Sequence, residues 1–396
     1  MQRPAARYHK LTDYINLCGR RVGLAVLQPR FKFTLITWLT GFVIVNYAIF
    51  CSLWICICMQ RDWRETFKSC IMMGALARGI SEYQMVIRKQ PEIKRQILYM
   101  RHTFLKFERL GDDYVAALNL GVDRLQGLMR FIRNGYYVSY SIMSAAPLML
   151  LYYNGTRMSI MQFEIPGVSL EHNLGFTITY LTQLFSMFVA GNGFYAGDLY
   201  VLGGLTQILT LAHIFRIKAH KLNAALERKS QARRAARVGA LIEGDEQLYS
   251  LLLDLILWHK EFTKYCYDVN KLYYNLITTQ VLTAGIGTLS TVVVILGGFH
   301  LISGIYFLVS VYSMFVYCVM GTKIVYAYEE LYESICCINW QELNIAQRKM
   351  FGFMLNAAQR PHTIVMLGMV PLSVSTALQI TKLIYSLVMM MRQRSN

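Results

Sequence analysis

Charge is scarce in this sequence. Asp, Glu, Lys and Arg make up 16% of its 396 residues against 55% apolar ones, a balance that points away from ordinary soluble domains and toward a membrane protein. Acid is scarcer still, with 23 Asp and Glu facing 40 Lys and Arg, a net charge of +17. The basic excess does not describe a nucleic-acid partner, because it lies between apolar blocks and not on one face or in one motif. Enzyme signatures are missing as well: neither H-E-x-x-H, G-x-S-x-G nor a phosphate-binding G-x-x-x-x-G-K-[ST] occurs, so no enzyme is expected. The nine cysteines show no repeated metal-ligand spacing and fall mostly in or beside apolar blocks, which makes most of them packing residues and leaves no metal or cofactor to expect. A cleavable signal is absent too, since the first apolar block is too long for one and follows a 32-residue basic leader; that block should act as a signal anchor.

Long uncharged runs fill the rest. A helix of about 20 apolar residues crosses a bilayer, and 28 uncharged residues lie between Lys32 and Arg61. The second span, Ser69 to Ile87, is interrupted by Arg78 and Glu82, whose i,i+4 spacing lets them pair on one inward face. Asn134 to Thr156 and His172 to Gly197 are the third and fourth. The apolar character continues to Phe215, and a single helix running beyond the bilayer is preferred over a hairpin at 190–198, because a hairpin would put the next basic segment on the wrong side. A second amphipathic stretch, Glu246 to Leu272, should pack beside that extension. Leu272 to Thr322 holds 51 uncharged residues, enough for spans five and six with a turn at Gly297 to His300. Lys323 to Arg360 reads as a third amphipathic helix outside the membrane. The seventh span, Pro371 to Met391, carries a polar stripe of Ser373, Ser375, Thr376, Gln379 and Lys382, which lipid would not tolerate and which therefore faces protein or water.

The expected fold is an all-α membrane protein with seven transmembrane helices. Leaving aside five Lys and Arg within or at the ends of spans, thirty lie on the side of the leader and five on the other, so the amino terminus is cytosolic and the carboxyl terminus extracellular. The organisation is a leader over 1–32, spans one to six with their cytosolic extensions over 33–322, an anchor helix over 323–360, and the seventh span with a short tail over 361–396. Asn154 then opens an extracellular N-x-T acceptor for glycosylation. Asp198 reads as the inner end of span four, near water, and Gly193 with Gly197 as a G-x-x-x-G that lets helices approach. An apolar pocket with a few hydroxyls is drawn from the outer halves of the spans: Met72, Met73 and Leu76 on the second, Tyr140 and Ser144 on the third, Phe176 and Tyr180 on the fourth, Tyr306 and Ser310 on the sixth. Such a pocket would suit a small volatile or lipid-like ligand.

The C-terminal residues Ala358-Gln359-Arg360-Pro361, Pro371-Leu372-Ser373 and Lys382-Leu383-Ile384-Tyr385-Ser386, together with the order of elements, resemble the insect odorant receptor family. What the resemblance implies is a subunit of a ligand-gated, non-selective cation channel in the plasma membrane. This chain would be the odorant-tuned subunit of a heterotetramer whose other member is a shared co-receptor; membrane lipid surrounds it, and the cytosolic extensions form an anchor. The last helix would line the pore, with the gate at Val388, Met391 and Arg392 nearby, and Gln379 and Lys382 in the wetter inner part. Two other classes with many spans, a G-protein-coupled receptor and a transporter, are set against it by an inward amino terminus and by the lack of an internal repeat.

Overall fold

The computed structural model describes residues 3–395 apart from 30, 60–62, 235–237, 297–300, 361–362 and 369. Within helices, side chains are not described at 63–64, 232, 234, 238–245, 301, 391–392 and 394–395. The fold is all-α: α1 (Pro4–Arg21), α2 (Leu35–Cys58), α3 (Trp63–Arg88), α4 (Gln90–Glu108), α5 (Asp112–Asn154), α6 (Asn173–Arg234), α7 (Val238–Leu296), α8 (Leu301–Cys336), α9 (Ile345–Ala358) and α10 (Val374–Ser395). A two-residue antiparallel hairpin, β1 (Val365–Met366) and β2 (Val370–Pro371), leads into α10.

Four of these helical stretches, Leu35–Cys58, Asn173–Gln231, Glu246–Leu296 and Ile302–Cys336, are long and apolar enough to cross a membrane. Their apolar side chains are left uncovered where lipid would lie: Leu35, Trp38, Phe42 and Val45 on α2 all stand exposed. The continuous 62-residue α6 bears out the single long helix expected past Gly197. The long α7 runs beside it, with Leu252, Leu255 and Phe262 buried in the same core as Leu211, Phe215 and Leu222 of α6.

Two sequence expectations need correction. Residues 323–360 do not form one helix. Lys323 to Cys336 continue α8, a 3-10 turn at Trp340–Glu342 breaks the chain, and α9 starts afresh behind an Asn344 capping box with Gln347. The helical spacing of Leu331, Ile335 and Ile338 misled because Ile338, though buried, lies in the connection. The leader is also more than a basic tail. Its α1 buries Tyr8, Ile15 and Cys18, and the following Val22, Leu24 and Val26 tuck beneath the start of α2, where Thr37 and Thr40 donate to the carbonyls of Gly23 and Val22. The turn expected at Gly297 to His300 lies outside the described residues.

The approach to α10 is tightly built. The Leu372 carbonyl oxygen lies only 2.0 Å from where a Cβ on Gly321 would sit, so this crossing of α8 requires glycine. The Thr322 hydroxyl accepts from the Val374 amide at 2.8 Å, and Ser373 caps the new helix by accepting from the Thr376 amide at 3.2 Å.

Candidate functional site

A cavity of about 220 Å³ lies among α2, α3, α5, α6, α7 and α8. It exceeds the ~150 Å³ apolar cavity that is known to admit benzene. Five of the nine expected pocket residues line it: Met72, Leu76, Tyr140, Tyr306 and Ser310. The other four do not. Met73 packs half-buried against a small outer cluster, Phe176 stacks on Tyr180 at 6.0 Å, and the Tyr180 hydroxyl donates to the Ser144 carbonyl at 3.0 Å, tying α6 to α5. Nor is the cavity confined to the outer halves of the helices. It reaches inward to Leu24, Tyr83 and Glu82, because the segment after α1 supplies an inner wall that a membrane-span reading does not contain.

Sequence reasoning also missed the outer closure. The connection from Gly155 to His172 folds inward, burying Ile160, Met161 and Phe163, and Met161 lines the cavity. Gln183 of α6 holds this loop with both ends of its amide, accepting from the Met161 amide at 3.0 Å and donating to the Phe163 carbonyl at 2.7 Å. Tyr306 donates to the Ile160 carbonyl at 3.3 Å. The signal was the apolar run within a connection between helices, where solvent-facing residues would be expected.

At the inner end sits a buried ionic cluster. The i,i+4 pair read from α3 is present, with Arg78 Nε donating to Glu82 at 2.7 Å. Its other nitrogens donate to Asp198 at 2.9 Å, the Tyr136 hydroxyl at 2.8 Å and Ser313 at 3.2 Å. Tyr136 and Tyr317 each donate to Asp198 at 2.6 Å. Asp198, expected near water, is 5% exposed, and Glu82 is 4% exposed. The correction has a physical cause: one arginine on α3 recruits carboxylates 116 positions apart, and two tyrosines add further donors to Asp198. Of the glycine pair, one member admits a neighbouring helix as expected and the other does not. Gly197 is bare because the Glu82 carboxylate sits 2.4 Å from where its Cβ would be, whereas Gly193 has open space at that point and faces the cavity.

The helix α10 has two faces. Thr376, Ala377, Ile384 and Val388 are buried against the bundle, while Ser375, Gln379, Lys382 and Ser386 are exposed. Val388, expected at the gate, is 7% exposed: within this subunit its side chain packs inward. Met391 and Arg392 lie outside the residues whose side chains are described. Asn154 is exposed at the last turn of α5.

These features define an all-α membrane protein with a mostly apolar cavity between its helices and a separate amphipathic helix open along one side. Residues 62–385 match the family described as 7tm Odorant receptor. The Drosophila melanogaster protein designated odorant receptor 83c is 45% identical over 392 residues, covering 99% of this chain and 98% of that protein. Among solved structures, the insect olfactory receptor OR5 from Machilis hrabei in complex with eugenol superimposes with a TM-score of 0.75 at 12% identity, over 98% of this chain and 99% of that one. The same receptor without that ligand gives 0.73 at 12%, over 97% and 98%. The chain belongs to the odorant receptor family; it is a receptor and not an enzyme.

Proposed function

We propose that this chain is the odorant-binding subunit of a heteromeric, ligand-gated, non-selective cation channel of the plasma membrane. Its partner would be a co-receptor subunit, with seven membrane crossings, a cytosolic amino terminus, an extracellular carboxyl terminus and the cytosolic helix ends forming the anchor. The observation that carries this reading is the position of α7 between cavity and α10. Ala284 and Gly287 line the cavity, and Gly285 between them has Ile380 of α10 3.5 Å from its would-be Cβ.

The ligand is a small volatile molecule, apolar over most of its surface, that enters the cavity and touches Met72, Leu76, Tyr140, Tyr306 and Ser310. Two buried acceptors near the inner end, Glu82 Oε2 and Gln280 Oε1, have no hydrogen-bond partner among the described residues, which favours a ligand with one donor group. Binding opens the channel only to the extent that the ligand prefers the open arrangement. Gln379 and Lys382 then face the conduction path. The test is co-expression with and without the co-receptor, recording currents over a panel of volatiles, together with Gly193→Leu, which projects a side chain into the cavity. Responses that survive Gly193→Leu unchanged, or silence of a surface-expressed wild type under both conditions, would defeat the reading.

A further inference from the structure

A second cavity, of about 800 Å³, lies between α5, α6 and α8, away from the first. Its walls change character along the helix axes. One end is apolar, lined by Phe131, Val316 and Val319; the other carries Arg124, Arg216 and Lys323. At 1.5 Å per residue, Lys323 stands about 10 Å beyond Val316, and Arg124 about 10 Å beyond Phe131. Both helices therefore switch from apolar to basic over one short distance. On α8 that switch falls at the end of the sixth span, where the charge distribution places the inner face of the membrane; on α5 it falls just before the third span begins at Asn134, and α6 borders it with its extension beyond Gly197.

The basic end is short of anions. Its one lining carboxylate, Glu330, is already bonded to Arg216 at 2.6 Å, leaving the cluster with a formal surplus of two positive charges. His213, also in the wall, registers that surplus: burial first, then Arg216 and Arg124, push its imidazole below the ordinary value, with only Glu330 pulling the other way. A soluble protein partner would find the apolar end at membrane depth, and a neutral lipid would leave the cations unanswered. An amphiphile with an anionic head satisfies both ends, and the cytosolic leaflet is rich in such lipids.

We propose that this cleft binds an anionic phospholipid of the inner leaflet, its phosphate among Arg124, Arg216 and Lys323 and an acyl chain along Phe131, Val316 and Val319. The inference is independent of the odorant reading, since it concerns another cavity and needs no current to test. Native mass spectrometry of the purified full chain in detergent would compare phosphatidylserine, phosphatidylcholine and soluble glycerol phosphate. Phosphatidylserine should bind the wild type most tightly, and Arg124→Gln with Lys323→Gln should weaken it about fivefold per charge removed, about 25-fold together. Val319→Trp, which fills the apolar end, should weaken both lipids and leave the charges in place. Elution volume and thermal midpoint report folding for each variant, and because the two perturb opposite ends, either alone decides. Equal affinity for phosphatidylcholine, retention of phosphatidylserine by the double variant, or competition by glycerol phosphate at the same concentration would overturn the proposal.

Discussion

Replacing Arg78 by Met would remove the only cation that the buried cluster on α3, α5, α6 and α8 shows among the described residues. Four hydrogen bonds would go, to Glu82, Asp198, Tyr136 and Ser313, and two nearly inaccessible carboxylates would lose their counter-charge. Breaking a buried ion pair by deleting one partner costs about 3–5 kcal/mol. Spread over an unfolding entropy of about 2.1 cal/mol/K per residue for a chain of this length, that lowers the melting midpoint by about 4–6 °C. The control is Arg7→Gln, which removes an ion pair to Asp123 whose side chains are 27% and 59% exposed; such pairs contribute about 0.2–1 kcal/mol. The triple variant Arg78→Met, Glu82→Gln, Asp198→Asn should recover much of the loss, because a neutral cluster no longer strands charge. The assay is thermal unfolding of the full chain in detergent, followed by size-exclusion chromatography. If Arg78→Met costs no more than Arg7→Gln, or if the triple variant is no better than the single, the ionic cluster does not hold these helices together.

Three further expectations are narrower. Gln183→Leu removes both anchors of the 155–172 loop and should raise ligand association and dissociation rates together while leaving the equilibrium response nearly constant; rapid solution exchange during current recording reads this, and unchanged kinetics would exclude a closing role. His213 has its pKa lowered from 6.5 by burial first and then by Arg216 and Arg124, so the unfolded chain takes up its proton more readily, and stability that is full above pH 6.5 should fall as pH drops below it; His213→Gln should flatten that part of a melting-midpoint profile. Asn154→Gln should abolish a glycosidase-sensitive gel shift in protein from insect cells if the exposed acceptor is modified, and a wild type with no such shift would show that its closeness to the membrane prevents transfer.

The parts legible in the sequence were those set by long-range composition. Uncharged runs located the long apolar helices but not the charged α1 and α4, and the asymmetry of basic residues argued correctly for an unbroken α6. What failed was local. Asp198 looked water-exposed because nothing in sequence links it to Arg78, 120 positions away; only tertiary packing supplies that partner. Phe176 and Tyr180 have the chemistry of pocket residues, yet lie on the wall toward α5, because a rotation of one helix by a fraction of a turn decides which aromatic rings meet the cavity. The inner wall at Leu24 and the loop at Met161 come from connections, whose course periodicity does not determine.

The same rotational argument bears on the gate. At about 100° per residue, Val388 lies about 20° around α10 from Ala377, on the buried face, whereas Gln379, Lys382 and Ser386 cluster on the opposite side. Continuing that open side toward the outer end leads to Met389 and Met390, both exposed. A constriction that closes by dewetting needs apolar side chains on the conducting face, which these methionines supply in line with the polar stripe. Val388→Ala should therefore act as a core truncation, costing about 1–3 kcal/mol of stability with little change in resting current. Met389→Ala with Met390→Ala should instead raise ligand-independent current and alter the relative permeability of cations, with little change in melting midpoint. Both are read by pairing whole-cell recordings with thermal unfolding of the same variants. A Val388→Ala channel that leaks while the double methionine variant stays closed would mean that α10 rotates on assembly and that the inward packing of Val388 does not survive in the channel.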